Sequence, residues 1–429
     1  MRKVTYPALQ ETVYRQTLPN GLEIIVLPRP GFSKKLAYFV TDFGAIHREF
    51  TLNGEKITTP AGIAHYLEHK LFDMPGGRDV SAEFAALGAS PNAFTSYDMT
   101  AYYFSGTENF EACLRLLLEF VSTPYFTEES VQKEQGIIGQ EIGMYEDNPD
   151  SRSFENLVGG LYTTHPIREP ILGTRESIAQ ITPELLHTCH KAFYRPGNML
   201  LCVMGDVDPE AVSAIAREQL PAEDTQQVTR QETWQEALRA EKALTLEKMD
   251  VAQTMFQLGF KTEPAQNGQE AAILEVIGEL AAEALFGESS RLYLKLYEEG
   301  LIDSSFGGGF ETVKGMAMLL ASGDSDHPEE IRAAILEEAK RILREGIPEA
   351  DFLRMKRSAM GRRVRDLDSF NSTIFRVCAY HFTGFDYLTF PELYHQAEAK
   401  QVLEFLERTV REERCSMSLM QPKQEKAEV

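Results

Sequence analysis

Near its middle the 429-residue chain carries a polar, weakly periodic stretch, PAEDTQQVTRQETWQEALRAE at 221–241, and the pattern on either side of it is the same: strands first, then helices, then one last strand. That repeated order is the strongest constraint on the fold. A chain this long exceeds what one hydrophobic core organises, and each flank has the size of an ordinary domain, about 200 residues. The reading is two α+β domains, at 1–220 and 242–429, with 221–241 as a linker whose second part could be helical. No clear residue-level identity links the halves.

Local signals place the elements. Asn20-Gly21 marks a tight turn, followed by a β-rich run at 22–27 that Pro28 and Pro30 end. A strand is expected at 36–43, helices at 61–73 and 79–87 with Gly88 as the stop, and strands at 90–97 and 100–105. Helices follow at 108–122 and 128–145, the latter capped by Thr127, then a strand at 198–205 and a helix opened by Pro209. The second half reads as a strand at 252–260, helices at 269–286 and 289–299, strand-like runs at 304–310 and 316–321, helices to about 410 and a final strand at 415–420.

Composition excludes several classes. A net charge of −22 makes nucleic acid a poor partner; it is read as a solubility feature and not as a clue to the substrate. No stretch approaches the length of an apolar membrane span, and VTYPALQETVYRQ after Lys3 is too polar for a signal-peptide core, so no membrane role is expected. The cysteines, Cys113, Cys189, Cys202, Cys378 and Cys415, are odd in number and widely spaced. They argue against a disulfide framework and for a reducing cytoplasm.

The chemistry concentrates at Ala64-His65-Tyr66-Leu67-Glu68-His69-Lys70. On a helix His65 and His69 stand one turn apart on one face and can grip one ion, for which zinc is well suited. Glu68, near the same face, can act as a general base on water. Two solvated histidines on a surface helix would show the same spacing, but Gly62 and Ile63 lead in and Leu67 and Leu71 supply an apolar face. A third ligand is needed, with a carboxylate from a second helix expected: Glu134, Glu141 and Glu146 are candidates. Glu134 and Glu141 are seven apart and share a face, so that one could bind the metal and the other orient a histidine. Gly136, Gly139 and Gly143 form a stripe on the same helix, where a second backbone is expected to pack. His187, Cys189 and His190 read as structural residues at the end of a helix opened by Thr182-Pro183. Gly307-Gly308-Gly309 fits either a substrate-binding loop or a strand distortion.

H-x-x-E-H is the inverzincin signature. With KEQGIIGQEI about seventy residues later, GASPNAFTSYDMTAYYF, HPIREPILGT, AFYRPGNMLLCVMGDVD and SSRLYLKLYEEGL, the chain resembles the insulinase/pitrilysin peptidases, most nearly the YmfH-like half-size bacterial members. The resemblance implies two similar domains, each a mostly antiparallel sheet covered by helices, making half of a clamshell around a chamber. It implies a zinc endopeptidase of short or unfolded peptides, with Zn2+ on His65, His69 and Glu141, Glu68 as catalytic base and Glu134 as the accessory glutamate. It implies that Asn92, Ala93, Phe94 and Thr95 form an edge strand that takes the peptide by strand addition. One departure concerns the opposite half-shell. Where the family places an Arg and a Tyr that bind substrate and stabilise the intermediate, this chain has Tyr297 and Asp303. The expected partner is therefore a homologous subunit supplying that pair; a homodimer, or a non-catalytic peptide-binding subunit, are the alternatives.

Overall fold

The computed structural model describes residues 1–423. The first half opens with β1 (Arg2–Tyr6), β2 (Glu11–Thr17), β3 (Glu23–Pro28), β4 (Lys35–Thr41) and the short β5 (Glu49–Leu52) and β6 (Glu55–Thr58). Helices α1 (Ile63–Lys70) and α2 (Val80–Ala86) lead to the hairpin β7 (Ala89–Thr95) and β8 (Thr100–Gly106). Then come α3 (Phe110–Ser122), α4 (Glu128–Glu146), α5 (Pro149–Leu161), α6 (Arg175–Ile178), α7 (Pro183–Phe193), β9 (Met199–Gly205) and α8 (Pro209–Gln219). After β10 (Val228–Arg230) the second half runs β11 (Leu244–Met249), β12 (Met255–Lys261), α9 (Gly268–Phe286), α10 (Arg291–Glu298), β13 (Gly307–Val313) and β14 (Met316–Asp324). It closes with α11 (Pro328–Glu345), α12 (Glu349–Asp366), α13 (Phe370–Thr383), α14 (Phe390–Gln396), α15 (Ala399–Thr409) and β15 (Cys415–Pro422).

The halves share one topology. The first sheet is ordered β1-β2-β3-β9-β4-β8-β7 and the second β11-β15-β12-β14-β13. In both, the last strand of the half lies parallel to the first of the shared set (β9 on β3, β15 on β11), and every other shared pairing is antiparallel. The mostly antiparallel, helix-covered sheets expected from the sequence are therefore present. In both, the first helix after the opening strands packs on the edge hairpin and on a later helix: α1 on β7 and α4, α9 on β13 and α12.

Helices also cross between the halves. Helix α5 lies on β11, β12 and β15 of the second sheet, and α13 lies on β4 and β9 of the first. Small residues permit the approach. A side chain at Gly259 in β12 would meet Leu161 of α5 at 2.8 Å, and one at Gly160 in α5 would collide with Ser416 of β15. The apolar face formed by Ile25, Leu27, Tyr38, Val40 and Cys202 of the first sheet accordingly belongs to the same core as the second-half helices.

Several local expectations change. Residues 221–241 hold no helix: Val228–Arg230 pair with β5, and Arg230 donates to the Asp42 carbonyl and to Asp42 Oδ2, each at 2.6 Å. Trp234 sits over His165, ring centroids 4.3 Å apart, and the Glu236 carboxylate accepts from the backbone N–H groups of Thr163, Thr164 and His165 and pairs with Lys261 Nζ at 2.8 Å. Polar side chains here fix an extended segment to both halves. Strand β11 precedes the expected start at 252; it is a half-exposed outer strand, so its apolar alternation is weak. Gly307-Gly308-Gly309 is regular edge strand in register with β14, and Gly308 leaves room for the Phe286 ring.

Candidate active site

Helix α1 is short, and its position is fixed from its first residue. Gly62 caps it with φ 88°, a left-handed conformation that glycine adopts freely, and any side chain there would strike the Leu172 carbonyl. Ile63, Ala64, Tyr66 and Leu67 are buried in the first-half core. Helix α4 begins with a Thr127/Ser130 capping box and buries Val131, Ile138 and Ile142. The Tyr66 hydroxyl donates to the Val131 carbonyl and ties the two helices together. With those apolar stripes packed, His65, Glu68 and His69 of α1 face Glu134 and Glu141 of α4.

Nε2 of His65 and of His69 lie 3.6 and 3.5 Å from Glu141 Oε2. Donors about 2.0–2.1 Å from one tetrahedral zinc ion stand about 3.4 Å apart, so this spacing fits that metal. Among the described residues these three side chains form the group whose donor atoms converge enough to hold an ion. His69 Nδ1–H donates to Glu134 Oε1 at 2.9 Å, which fixes the ring and leaves Nε2 as the free lone pair. His65 is held by packing alone, its Nδ1 without a hydrogen-bond partner. Burial, and then the neighbouring His69, push the His65 pKa down to about 3, so the imidazole is neutral and able to ligate. For His69 burial acts downward too, but the Glu134 bond and the charges of Glu68, Glu134 and Glu141 outweigh it and raise the pKa. Glu68 is 8% exposed and burial raises its pKa, which makes it a stronger base than an ordinary carboxylate.

Strand β7 forms one wall of the same cavity, about 440 Å³ in volume. It is an outermost strand of the first sheet, paired among the described residues only to β8. The Ser96 N–H bonds to the Met99 carbonyl, so by antiparallel alternation Phe94 exchanges bonds with Ala101 while the backbone groups of Ala93 and Thr95 point off the edge. Pro91, with no N–H, also stands at an edge-facing position. The outward Ala93 N–H is covered only by the adjacent Asn92 Oδ1, at 2.8 Å. Phe94 packs toward Tyr38 and Phe375. Thr95 Oγ1 donates to Glu68 Oε2 at 2.6 Å.

The structure brings together His65, Glu68, His69, Glu134, Glu141 and the Asn92–Thr95 edge. Glu146 lines the cavity but is not one of the converging donors; it pairs with Arg175. Among the described residues no backbone packs on the glycine stripe: a side chain would enter open space at Gly136 and Gly139 and would meet the Arg175 guanidinium at Gly143. His190 and Cys189 are buried structural residues of α7. Tyr97, Arg152, Phe154 and Glu155 also line the cavity. Tyr97 falls in the GASPNAFTSYDMTAYYF segment, whereas Arg152, Phe154 and Glu155 carry no motif, since they come from α5, which packs on the other half. The second half repeats the helix arrangement with different chemistry. On α9, Glu275 and Glu279 grip Arg363 of α12 at 2.6 and 3.2 Å, and Tyr380 and Tyr394 donate to the same two carboxylates.

A family model described as insulinase, peptidase family M16, matches residues 57–175, which contain both histidines and all three glutamates of the site; the model of the family's inactive domain matches 180–359. A Bacillus subtilis protein named as the uncharacterized zinc protease YmfH is 44% identical over 354 residues, 81% of each chain. The chain belongs to the insulinase family of peptidases. A crystal structure of an M16-like peptidase from Alicyclobacillus acidocaldarius superposes with a TM-score of 0.91 at 31% identity, covering 96% of this insulinase-family chain and 99% of that one. The periplasmic protease PqqL of Escherichia coli shares the fold at a TM-score of 0.73 and 18% identity, with 98% of this chain matching 48% of that one. Of the ion triad, Glu275 and Glu279 fall within the inactive-domain match and Arg363 just beyond its end.

Proposed function

We propose that the chain is a zinc-dependent endopeptidase acting on short or unfolded peptides. The observation that carries this reading is the convergence of His65, His69 and Glu141 beside a buried base, Glu68, on an open strand edge. A zinc ion on those three donors supplies Lewis acidity and makes water a competent nucleophile near neutral pH. The edge groups of Ala93 and Thr95 align an extended peptide across the base, which favours unfolded chains over folded ones. Glu68 takes the proton of the attacking water and delivers it to the leaving amine. Glu134 keeps His69 in the tautomer that ligates.

We further propose that the working enzyme is a heterodimer with a homologous subunit supplying an Arg/Tyr pair. Tyr297 is an exposed residue of α10, stacked on Tyr293. Hydrogen bonds from Ser305 lower the pKa of the exposed Asp303 and keep it ionised. A fixed carboxylate facing a developing oxyanion would oppose it, which argues against two copies of this chain completing one site. Unpaired, buried thiols at all five cysteines support a reducing, cytoplasmic setting, and no helix among the described residues is long and apolar enough to cross a membrane.

Metal analysis and a quenched-peptide assay test the reading. About one zinc per chain is expected, lost in His65→Ala. Glu68→Gln should keep the metal and lose hydrolysis by about 10²–10⁴-fold, the usual contribution of a general base. Full zinc in His65→Ala, or undiminished turnover in Glu68→Gln, refutes it. Run with the chain alone and with its homologous partner, the assay also decides the assembly: full activity alone, indifferent to substitution of Tyr297 and Asp303, selects the homodimer.

A further inference from the structure

We propose that Thr95 is a positioning residue for Glu68, holding its carboxylate so that Oε1 is the oxygen that receives and returns the proton. The inference rests on the peptidase reading above and deepens it. Among the described residues Thr95 is the one side chain that hydrogen-bonds Glu68, at 2.6 Å, a length typical of a hydroxyl donating to a charged oxygen. The direction of that bond is fixed by its neighbours. A hydroxyl has one proton to give, and Thr100 gives its own to the Phe43 carbonyl at 2.8 Å. The Thr95 and Thr100 oxygens stand 3.4 Å apart, so Thr95 has the nearby carboxylate as its strong acceptor. Glu68 is almost wholly buried, and little solvent competes for Oε2.

The consequence is a division of labour between the two carboxylate oxygens. Oε2 accepts the Thr95 hydroxyl both while Glu68 is ionised and after it is protonated, because a neutral carboxyl still has a carbonyl oxygen. The proton from the attacking water therefore goes to Oε1 and from Oε1 to the leaving amine, with no rotation of the carboxyl between the steps. Thr95 keeps its own proton throughout. The residue is β-branched and lies in a strand, so its side-chain torsion has few alternatives. Its backbone groups point off the edge where the peptide adds, while its side chain points at the base. One residue thus sets substrate and base in a common register.

Thr95→Val removes the hydroxyl at nearly constant shape, and Thr95→Ser keeps it. With zinc content unchanged in all three proteins, kcat for a quenched peptide should fall about 10–100-fold in Thr95→Val, the fold-change carried by a hydrogen bond to a charged group. KM should stay within about threefold, and Thr95→Ser should keep kcat within about threefold of the parent. Crystal structures of the variants supply a readout independent of turnover: the Glu68 carboxylate should keep its place in Thr95→Ser and leave it in Thr95→Val. A parent-like kcat in Thr95→Val, equal losses in both variants, or an unmoved Glu68 in Thr95→Val overturns the proposal. A parent protein that holds zinc but hydrolyses no peptide defeats the peptidase reading instead, with the crystal structures still deciding the role of Thr95.

Discussion

His65 and His190 are both buried, and in both cases burial, more than any neighbouring charge, keeps the imidazole neutral: the pKa values are pushed down to about 3 and about 4. At His65 this leaves a lone pair for an ion. At His190 it serves packing, since Nε2–H donates to the Val121 carbonyl at 3.0 Å and the ring stacks on Tyr194. Stability should record the second case. Unfolded, an imidazole titrates near 6.5. Between pH 6.5 and about 4 the unfolded chain binds a proton that folded His190 refuses, so stability falls as pH falls through that window, by up to about 1.4 kcal/mol per unit. Above 6.5 the contribution is fully present. Urea unfolding at pH 4.5 to 7.5 should show a shallower pH dependence in His190→Gln than in the parent; parallel curves would mean that His190 is not held neutral. At this scale the spacing of His65, Glu68 and His69 was legible because a helix turns it directly into proximity. The Thr95–Glu68 bond was not, because it joins a strand to a helix and leaves no local pattern.

At the scale of elements, β7 carries the substrate reading. If the Ala93 N–H that points off the edge receives a peptide carbonyl, Ala93→Pro removes that donor without touching the β8 ladder, and an edge position tolerates proline. The expected result is a KM raised at least about tenfold, roughly the effect of one lost hydrogen bond, with zinc content and unfolding midpoint close to the parent. An unchanged KM would exclude strand addition at Ala93. Most strands and helices were readable within a few residues, as with Thr127 capping α4 and Pro209 opening α8, because caps and turns act on their immediate neighbours. The reading failed where long-range partners decide. The segment 221–241 looks like a tether by composition, yet Arg230, Trp234 and Glu236 each find a partner more than sixty residues earlier in the chain. The glycines of α4 suggested close packing, and open space and one surface arginine stand there instead.

Taken as a whole, the molecule builds one scaffold twice and fastens it in two ways. In the first half donors on α1 and α4 converge closely enough to hold an ion; in the second, Glu275 and Glu279 of α9 close on Arg363 of α12, which is 5% exposed. Arg363→Met should leave two half-buried carboxylates with only the longer contacts of Arg376 and Arg362, at 3.5 and 3.8 Å, and lower stability by about 1–3 kcal/mol, with zinc content unaffected. A loss under about 1 kcal/mol in chemical unfolding would show that the triad is not a fastener. The exchange of α5 and α13 between the sheets has a wider consequence. Severing the chain between its halves would strip each sheet of the helix that covers it, so the two halves are interlocked and neither can swing away from the other without baring apolar sheet to water. Access to the cavity beside β7 therefore calls for no hinge within this polypeptide. In the two-chain enzyme proposed above, the seam that parts to refill the chamber would then be the one between the chains, and its rate of parting would set how often a peptide enters.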